Sequence, residues 1–238
     1  MNAARPLLLL AVATAGTVSL ARGAVPEQIV PVNPEPGSPV FTRPSSSTTT
    51  GGPTATSSYQ GAWGTADASA TLMAQTYGAD AVAAAQAAGI NPDTLAAFGQ
   101  IESHFQNVGN TSSSAQGVWQ VTDGTWNQYA SRLGLSTADR SDPVAQAKVA
   151  SAIISDYAST VSRATGAPAT GTQVYGAYMF GTKAGSAIAT ASNPNAPLSQ
   201  FVSAKALAAN NMSGWTVAQY QQTVASRMGS GASEAVTS

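Results

Sequence analysis

Asn91-Pro-Asp-Thr-Leu-Ala-Ala-Phe-Gly-Gln-Ile-Glu-Ser-His-Phe105, NPDTLAAFGQIESHF, carries its own helix start and one charge inside its apolar face. Asparagine is a strong N-cap, proline suits the first helical turn, and Asp93 sits where the positive helix end favours an acid. At about 100° per residue, Leu95, Phe98, Glu102 and Phe105 fall in one narrow sector, with His104 nearly opposite Leu95. The chain has only four glutamates, Glu27, Glu35, Glu102 and Glu234. Two precede the region that reads as folded and one lies near the end, so Glu102 is the one glutamate available to a domain over residues 61–230.

A glutamate is seldom buried without a partner. Desolvation disfavours its charged form and raises its pKa, which is what a general acid requires. The competing reading is a structural ion pair with Arg132, Lys148 or Arg163. The stripe alone leaves both open.

Composition narrows the rest. Charged residues make up 9% of the 238-residue chain, against roughly 25% in ordinary soluble proteins. Lysines and arginines are scattered singly, so no basic stripe invites nucleic acid. There is no cysteine, which removes disulfides, thiol nucleophiles and a lipid-modified N-terminal cysteine. His104 is the only histidine, so no histidine cluster can hold a metal. Serine hydrolysis has no other imidazole base, and His104 points away from the stripe, as a surface residue.

Residues 1–21 have the form of a secretory signal: Arg5, the apolar run from Leu7, and the small-x-small site Ser19-Leu-Ala21, with Ala21-Arg-Gly23 as an alternative. The apolar run is shorter than the roughly 20 residues that span a bilayer. Residues 22–60, rich in proline, serine and threonine, read as a disordered linker. From about residue 61 the pattern turns helical. Helices are expected over residues 68–77 and 80–88 with Gly78 as a stop, from Asn91, and from Asp123, with Trp126, Tyr129 and Leu133 on one face. Further helices are expected from Asp142-Pro143, over 174–180 and 184–190 around Gly181, and from Thr216. Gly117-Val-Trp-Gln-Val121 is the best strand candidate. The fold class is mainly α, one domain over residues 61–230 with a disordered tail over 231–238.

Three motifs in order connect this helix to a known family. Gln100-Ile-Glu-Ser103, then Thr111-Ser-Ser-Ser-Ala-Gln-Gly-Val-Trp-Gln120, then Ala177-Tyr-Met-Phe-Gly181 resemble the lytic transglycosylases of the soluble-lytic, goose-lysozyme-like (SLT) family. There the motifs are Glu-Ser, Gly-Leu-Met/Phe-Gln and Ala-Tyr-Asn-Ala-Gly, and the resemblance covers about residues 65–228. It implies a lysozyme-like fold and a peptidoglycan substrate, with no metal and no diffusible cofactor. Most glycosidases need two carboxylates. The resemblance implies that one suffices here. Glu102 protonates the oxygen between N-acetylmuramic acid and N-acetylglucosamine, the muramic 2-acetamido group stabilises the cation, and Glu102 then takes the 6-hydroxyl proton to close a 1,6-anhydro ring.

The same resemblance gives Gln120 a substrate hydrogen bond, with a turn-stabilising amide as its alternative. It places the Tyr178 hydroxyl near Glu102, with a core tyrosine as the alternative. Ser103 becomes a supporting hydrogen-bonding group, and Ser112, Ser113 and Ser114 a turn beside the cleft. Trp119 replaces a cleft-lining methionine or phenylalanine and either stacks on a sugar or packs in the core. Tyr175, one turn before Tyr178, is a weaker cleft candidate whose first reading is packing. Met179 departs from the family asparagine, which removes a polar contact there. The expected role is an exported, periplasmic or released lytic transglycosylase, monomeric, with possible ties to secretion or conjugation machinery that nothing in the chain names. A muramidase on the same fold and a non-catalytic wall-binding or assembly protein are the alternatives.

Overall fold

The computed structural model describes residues 68–111 and 113–237. The signal and linker expected over residues 1–60, the first residues of the expected domain and Ser112 lie outside them.

Eight α-helices, joined by loops and short 3-10 turns, make up the described residues: α1 Ala68–Met73, α2 Gly78–Ala87, α3 Pro92–Ser103, α4 Asp123–Arg132, α5 Pro143–Thr165, α6 Gly171–Ala189, α7 Ala204–Ala209 and α8 Val217–Met228. Among these residues there are only isolated β-bridges and no strands, as a mainly α fold requires. None of their helices is long and apolar enough to cross a membrane.

α3 is the element the others surround. Its start follows the sequence: Asn91 Oδ1 accepts the Asp93 N–H at 3.0 Å, and Pro92 occupies the first turn. Leu95, Ala96, Ala97 and Phe98 are fully buried, because α1, α2, α5, α6 and α8 all pack against this helix. α5, 23 residues long, spans about 34 Å at 1.5 Å per residue and lies against α6. Asp142 caps it by accepting from the N–H groups of Val144 and Ala145, and Gly166 ends it at φ 73°. α6 and α8 each open with a capping box, Thr170 with Gln173 and Thr216 with Gln219. At Gly181, φ 83° and ψ 158° break the helical path inside α6, a conformation nearly closed to any residue with a Cβ. The two helices expected on either side of Gly181 are therefore present, meeting at this kink within α6.

Four expectations are corrected. Gly78 does not stop a helix: the break falls over residues 74–77 and Gly78 is the first residue of α2. A Cβ on Gly78 would collide with the Leu72 carbonyl oxygen, so glycine lets the two helices meet at a tight corner. Residues 117–121 are not a strand. Gly117 at φ 87° and Gln120 at φ 46° fold the segment back, so that Val121 bridges to Gln116, just before it. Leu133 leaves the face of Trp126 and Tyr129: it sits at the C-cap of α4 and is 43% exposed, whereas both aromatics are buried.

The fourth correction concerns the tail expected to be disordered over 231–238. Residues 231–237 return to the start of α3. Asn91 Nδ2 donates to Glu234 Oε2 at 2.6 Å, the Asn91 N–H to the Val236 carbonyl at 2.8 Å, and the Val236 N–H to the Ala169 carbonyl at 2.9 Å. Val236 is fully buried. Burying this side chain and satisfying these backbone groups outweigh the entropy of ordering a short, polar segment. Val236→Ala should lower stability by about 2 kcal/mol, read as a lower denaturant midpoint at unchanged slope. An unchanged midpoint would place the tail outside the cooperative unit.

Candidate active site

Glu102 lies in the last turn of α3. The residue as a whole is partly exposed, but its Oε1 is buried and has no protein hydrogen-bond partner. The Tyr175 hydroxyl, from α6, hydrogen-bonds the carboxyl group. Burial raises the Glu102 pKa from 4.5 to about 8, and the Tyr175 bond, which favours the charged form, only partly offsets this. None of the three cations considered as partners pairs with it in an ion pair: Arg132 bonds Asp156 at 2.8 Å, and Lys148 and Arg163 are in no salt bridge among the described residues.

A second phenol lies within range of the Glu102 charge. Tyr220, from α8, has its pKa raised by burial first and by the Glu102 charge second. Its hydroxyl is buried without a protein hydrogen-bond partner. Tyr175 is likewise pushed well above the ordinary tyrosine value, by burial and then by Glu102. Both phenols therefore stay protonated and able to donate. Sequence reasoning missed Tyr220. Its signal was the apolar face of Val217, Tyr220, Val224 and Met228 on α8, all buried, which shows that Tyr220 points inward but not what it meets.

The floor beneath is aromatic. Phe98 stands edge-on to Tyr175 and to Tyr178, with ring centroids 5.2 and 5.0 Å away, and the two tyrosines stack at 6.4 Å. Such pairs fix ring orientation as well as burying area. The Tyr178 hydroxyl donates to the Trp119 carbonyl at 2.6 Å, so the bond to Glu102 comes from Tyr175. Tyr175, read first as packing, thus interacts with the carboxyl, and Tyr178 braces the adjacent loop.

Trp119 is fully buried, and its indole N–H donates to the Leu95 carbonyl at 2.9 Å. No ring face remains to stack on a sugar, so the core-packing alternative holds for it. Ser103 Oγ donates to the Val118 carbonyl at 2.7 Å, tying the end of α3 to the loop. Gln120 Nε2 donates to the carbonyls of Gly117 at 2.8 Å and Val108 at 3.0 Å, the turn-stabilising role. Met179 is buried. The described serines of the turn also act locally: Ser113 Oγ accepts from the Ala115 N–H at 3.1 Å and Ser114 Oγ from the Asp123 N–H at 3.2 Å.

Two residues that the sequence did not single out hold this loop in place. Gln146 of α5 accepts the Val118 N–H at 2.9 Å and donates to the Asn107 side chain and the Arg140 carbonyl. Gly117 is obligatory beside it, because a Cβ there would overlap the Gln146 carboxamide. The Arg140 guanidinium reaches the Asp123 carboxylate and the carbonyls of Ser114 and Val121, the latter two at 2.5 and 2.6 Å.

His104 is not the surface residue expected. It caps α3 in the left-handed region at φ 54° and ψ 39° and is half-buried. Burial, and then the Arg227 charge, push its pKa down to about 4, so it is neutral at physiological pH.

The arrangement offers one carboxyl, protonated near neutrality, with the Tyr175 phenol beside it at the end of a buried helix. Such a group can give a proton to a leaving oxygen and recover one afterwards. Residues 81–196 match the family model of the transglycosylase SLT domain. That span contains Glu102, Ser103, Trp119, Gln120, Tyr175 and Tyr178 and ends before Tyr220. No curated protein matches the chain.

Proposed function

We propose, from the premise that residues 81–196 belong to the transglycosylase SLT domain family, that the protein cleaves glycan strands of peptidoglycan with Glu102 as its single acid and base. Membership of the family implies a peptidoglycan substrate and activity of the lytic transglycosylase type. The observation that carries the finer reading is the state of Glu102, with a pKa of about 8. About nine-tenths of such a group is protonated at pH 7, which suits the first step.

In that step Glu102 gives its proton to the oxygen joining C1 of N-acetylmuramic acid to N-acetylglucosamine. The C1–O bond breaks, the N-acetylglucosamine end leaves as an alcohol, and the 2-acetamido oxygen bonds to C1. Glu102 is then a carboxylate, and the Tyr175 hydrogen bond lowers its energy. It accepts the proton of the 6-hydroxyl, O6 attacks C1, and the acetamido oxygen departs. The products carry a 1,6-anhydro ring, Glu102 is again protonated, and no water is consumed. Burial favours the acid form and Tyr175 the base form, so the opposed influences keep both within reach of one active site. Ser103, Gln120, Trp119 and Tyr178 hold the 117–120 loop in place after α3 through the bonds described above, and Tyr220 is a second protonated phenol within range of the Glu102 charge.

Residues 1–21 are read as an export signal, which puts the enzyme on the wall side of the cytoplasmic membrane. Incubating the protein with purified sacculi and weighing the released muropeptides tests the reading. Products lighter by one water than hydrolytic fragments are expected. Reducing muramic ends alone would make the protein a muramidase, and no release at all would leave a wall-binding protein.

A further inference from the structure

Immediately after Glu102 and Ser103 the backbone takes an unfavourable path. His104 and Phe105 both have positive φ, 54° and 63°. One left-handed residue past a helix end is common, and glycine usually supplies it. A second in succession, on a bulky aromatic residue, is rare and has to be held by its surroundings.

The surroundings are specific. The Phe105 ring is buried over Gly99, where a Cβ would lie 2.8 Å from ring Cε1. Its N–H returns to the Gly99 carbonyl at 3.2 Å. Its own carbonyl accepts from the Tyr77 hydroxyl at 3.0 Å. Tyr77 comes from the tight corner between α1 and α2, and its ring meets Trp119 edge-on with centroids 6.3 Å apart. The hydroxyl is thus carried by a rigid corner rather than by a mobile loop. Burial raises its pKa to about 12, so it stays a donor throughout the pH range in which Glu102 titrates.

We propose that Tyr77 is a positioning residue for Glu102: by holding the Phe105 carbonyl it keeps the left-handed turn closed and fixes the last turn of α3, from which the carboxyl projects. Without the hydroxyl the turn can relax toward ordinary backbone geometry, and the end of α3 gains freedom. Glu102 then shifts from its place beside Tyr175 and becomes wetter. The catalytic part of this inference rests on Glu102 being the acid, whereas the positional part does not.

Tyr77→Phe removes only the hydroxyl and keeps the ring contact with Trp119. In the full-length protein it should lower kcat on purified glycan strands about tenfold with KM little changed, the signature of a misplaced catalytic group. The basic limb of the kcat–pH profile should move down by about one unit as Glu102 loses desolvation. A second measurement is independent of substrate: the side-chain carboxyl 13C signal of Glu102, assigned by its absence in Glu102→Gln, should titrate about one unit lower in Tyr77→Phe than in the wild type. An unchanged Glu102 titration overturns the proposal, even if kcat falls, because Tyr77 would then be only structural. If the titration moves while the wild type cleaves no glycan, the positional inference stands and the assignment of function fails.

Discussion

Glu102→Gln is expected to lower glycan-strand turnover about 10³- to 10⁴-fold while leaving the fold in place. General acid–base catalysis by a placed side chain contributes about 10²–10⁴. The upper part of that range applies because, in the proposed reaction, the same carboxyl serves both proton transfers with no second carboxylate assigned to the site. The phenols of Tyr175 and Tyr220, which the Glu102 charge influences, have raised pKa values that make them poor bases near neutrality. The amide has the same shape and can still accept the Tyr175 bond, so the helical signal and the cooperativity of unfolding should be unchanged. Release of muropeptides by wild type and variant at equal concentration measures the effect. Equal release would remove Glu102 from the chemistry.

The same substitution should remove the part of the pH dependence of stability that Glu102 creates. The Glu102 pKa is about 8 in the folded protein, against an ordinary value of 4.5. Below the lower value both states hold the proton and the group contributes nothing. Between the two values the unfolded chain ionises while the folded protein keeps its proton, so stability falls as pH rises, and the cost is complete above pH 8. It amounts to ~3 kcal/mol at pH 7. His104 acts in the opposite direction, because its lowered pKa of about 4 makes the folded state lose stability as pH falls below 6.5. That contribution is common to both proteins and cancels in the difference. Urea unfolding at pH 5, 6, 7 and 8 should therefore show Glu102→Gln gaining on the wild type at each step. Parallel stability profiles would mean that Glu102 is not desolvated.

What the sequence made legible was local. The caps of α3, α5 and α8, the break at Gly181 and the position of Glu102 on an apolar stripe all follow from residue types a few positions apart. The misreadings at the site and in the tail share a different cause, a partner far along the chain, whereas those at Gly78, residues 117–121 and Leu133 are local turns and a helix end. Tyr175 and Tyr178 lie nearly on one face of α6, and the Trp119 carbonyl decides which hydroxyl is left for Glu102. Trp119 looks like a cleft residue until Gly99 and the Leu95 carbonyl are brought beneath it. The tail is short and mostly small or polar, yet Glu234 meets Asn91 across 143 positions, which no local pattern announces. Tyr220 and Tyr77 were passed over for the same reason. An inward tyrosine on a helix face and a tyrosine before a glycine are ordinary signals, and only the packing sets one within range of the Glu102 charge and the other on the turn that follows it.

The central claim is that the muramic 6-hydroxyl, and not water, closes the reaction that Glu102 begins. Digesting sacculi with the wild-type protein in water enriched in oxygen-18, followed by mass spectrometry of the products, tests it most directly. The account expects anhydro-muropeptides carrying no heavy oxygen at C1. Muropeptides with a reducing muramic end and one oxygen-18 at C1 would contradict it.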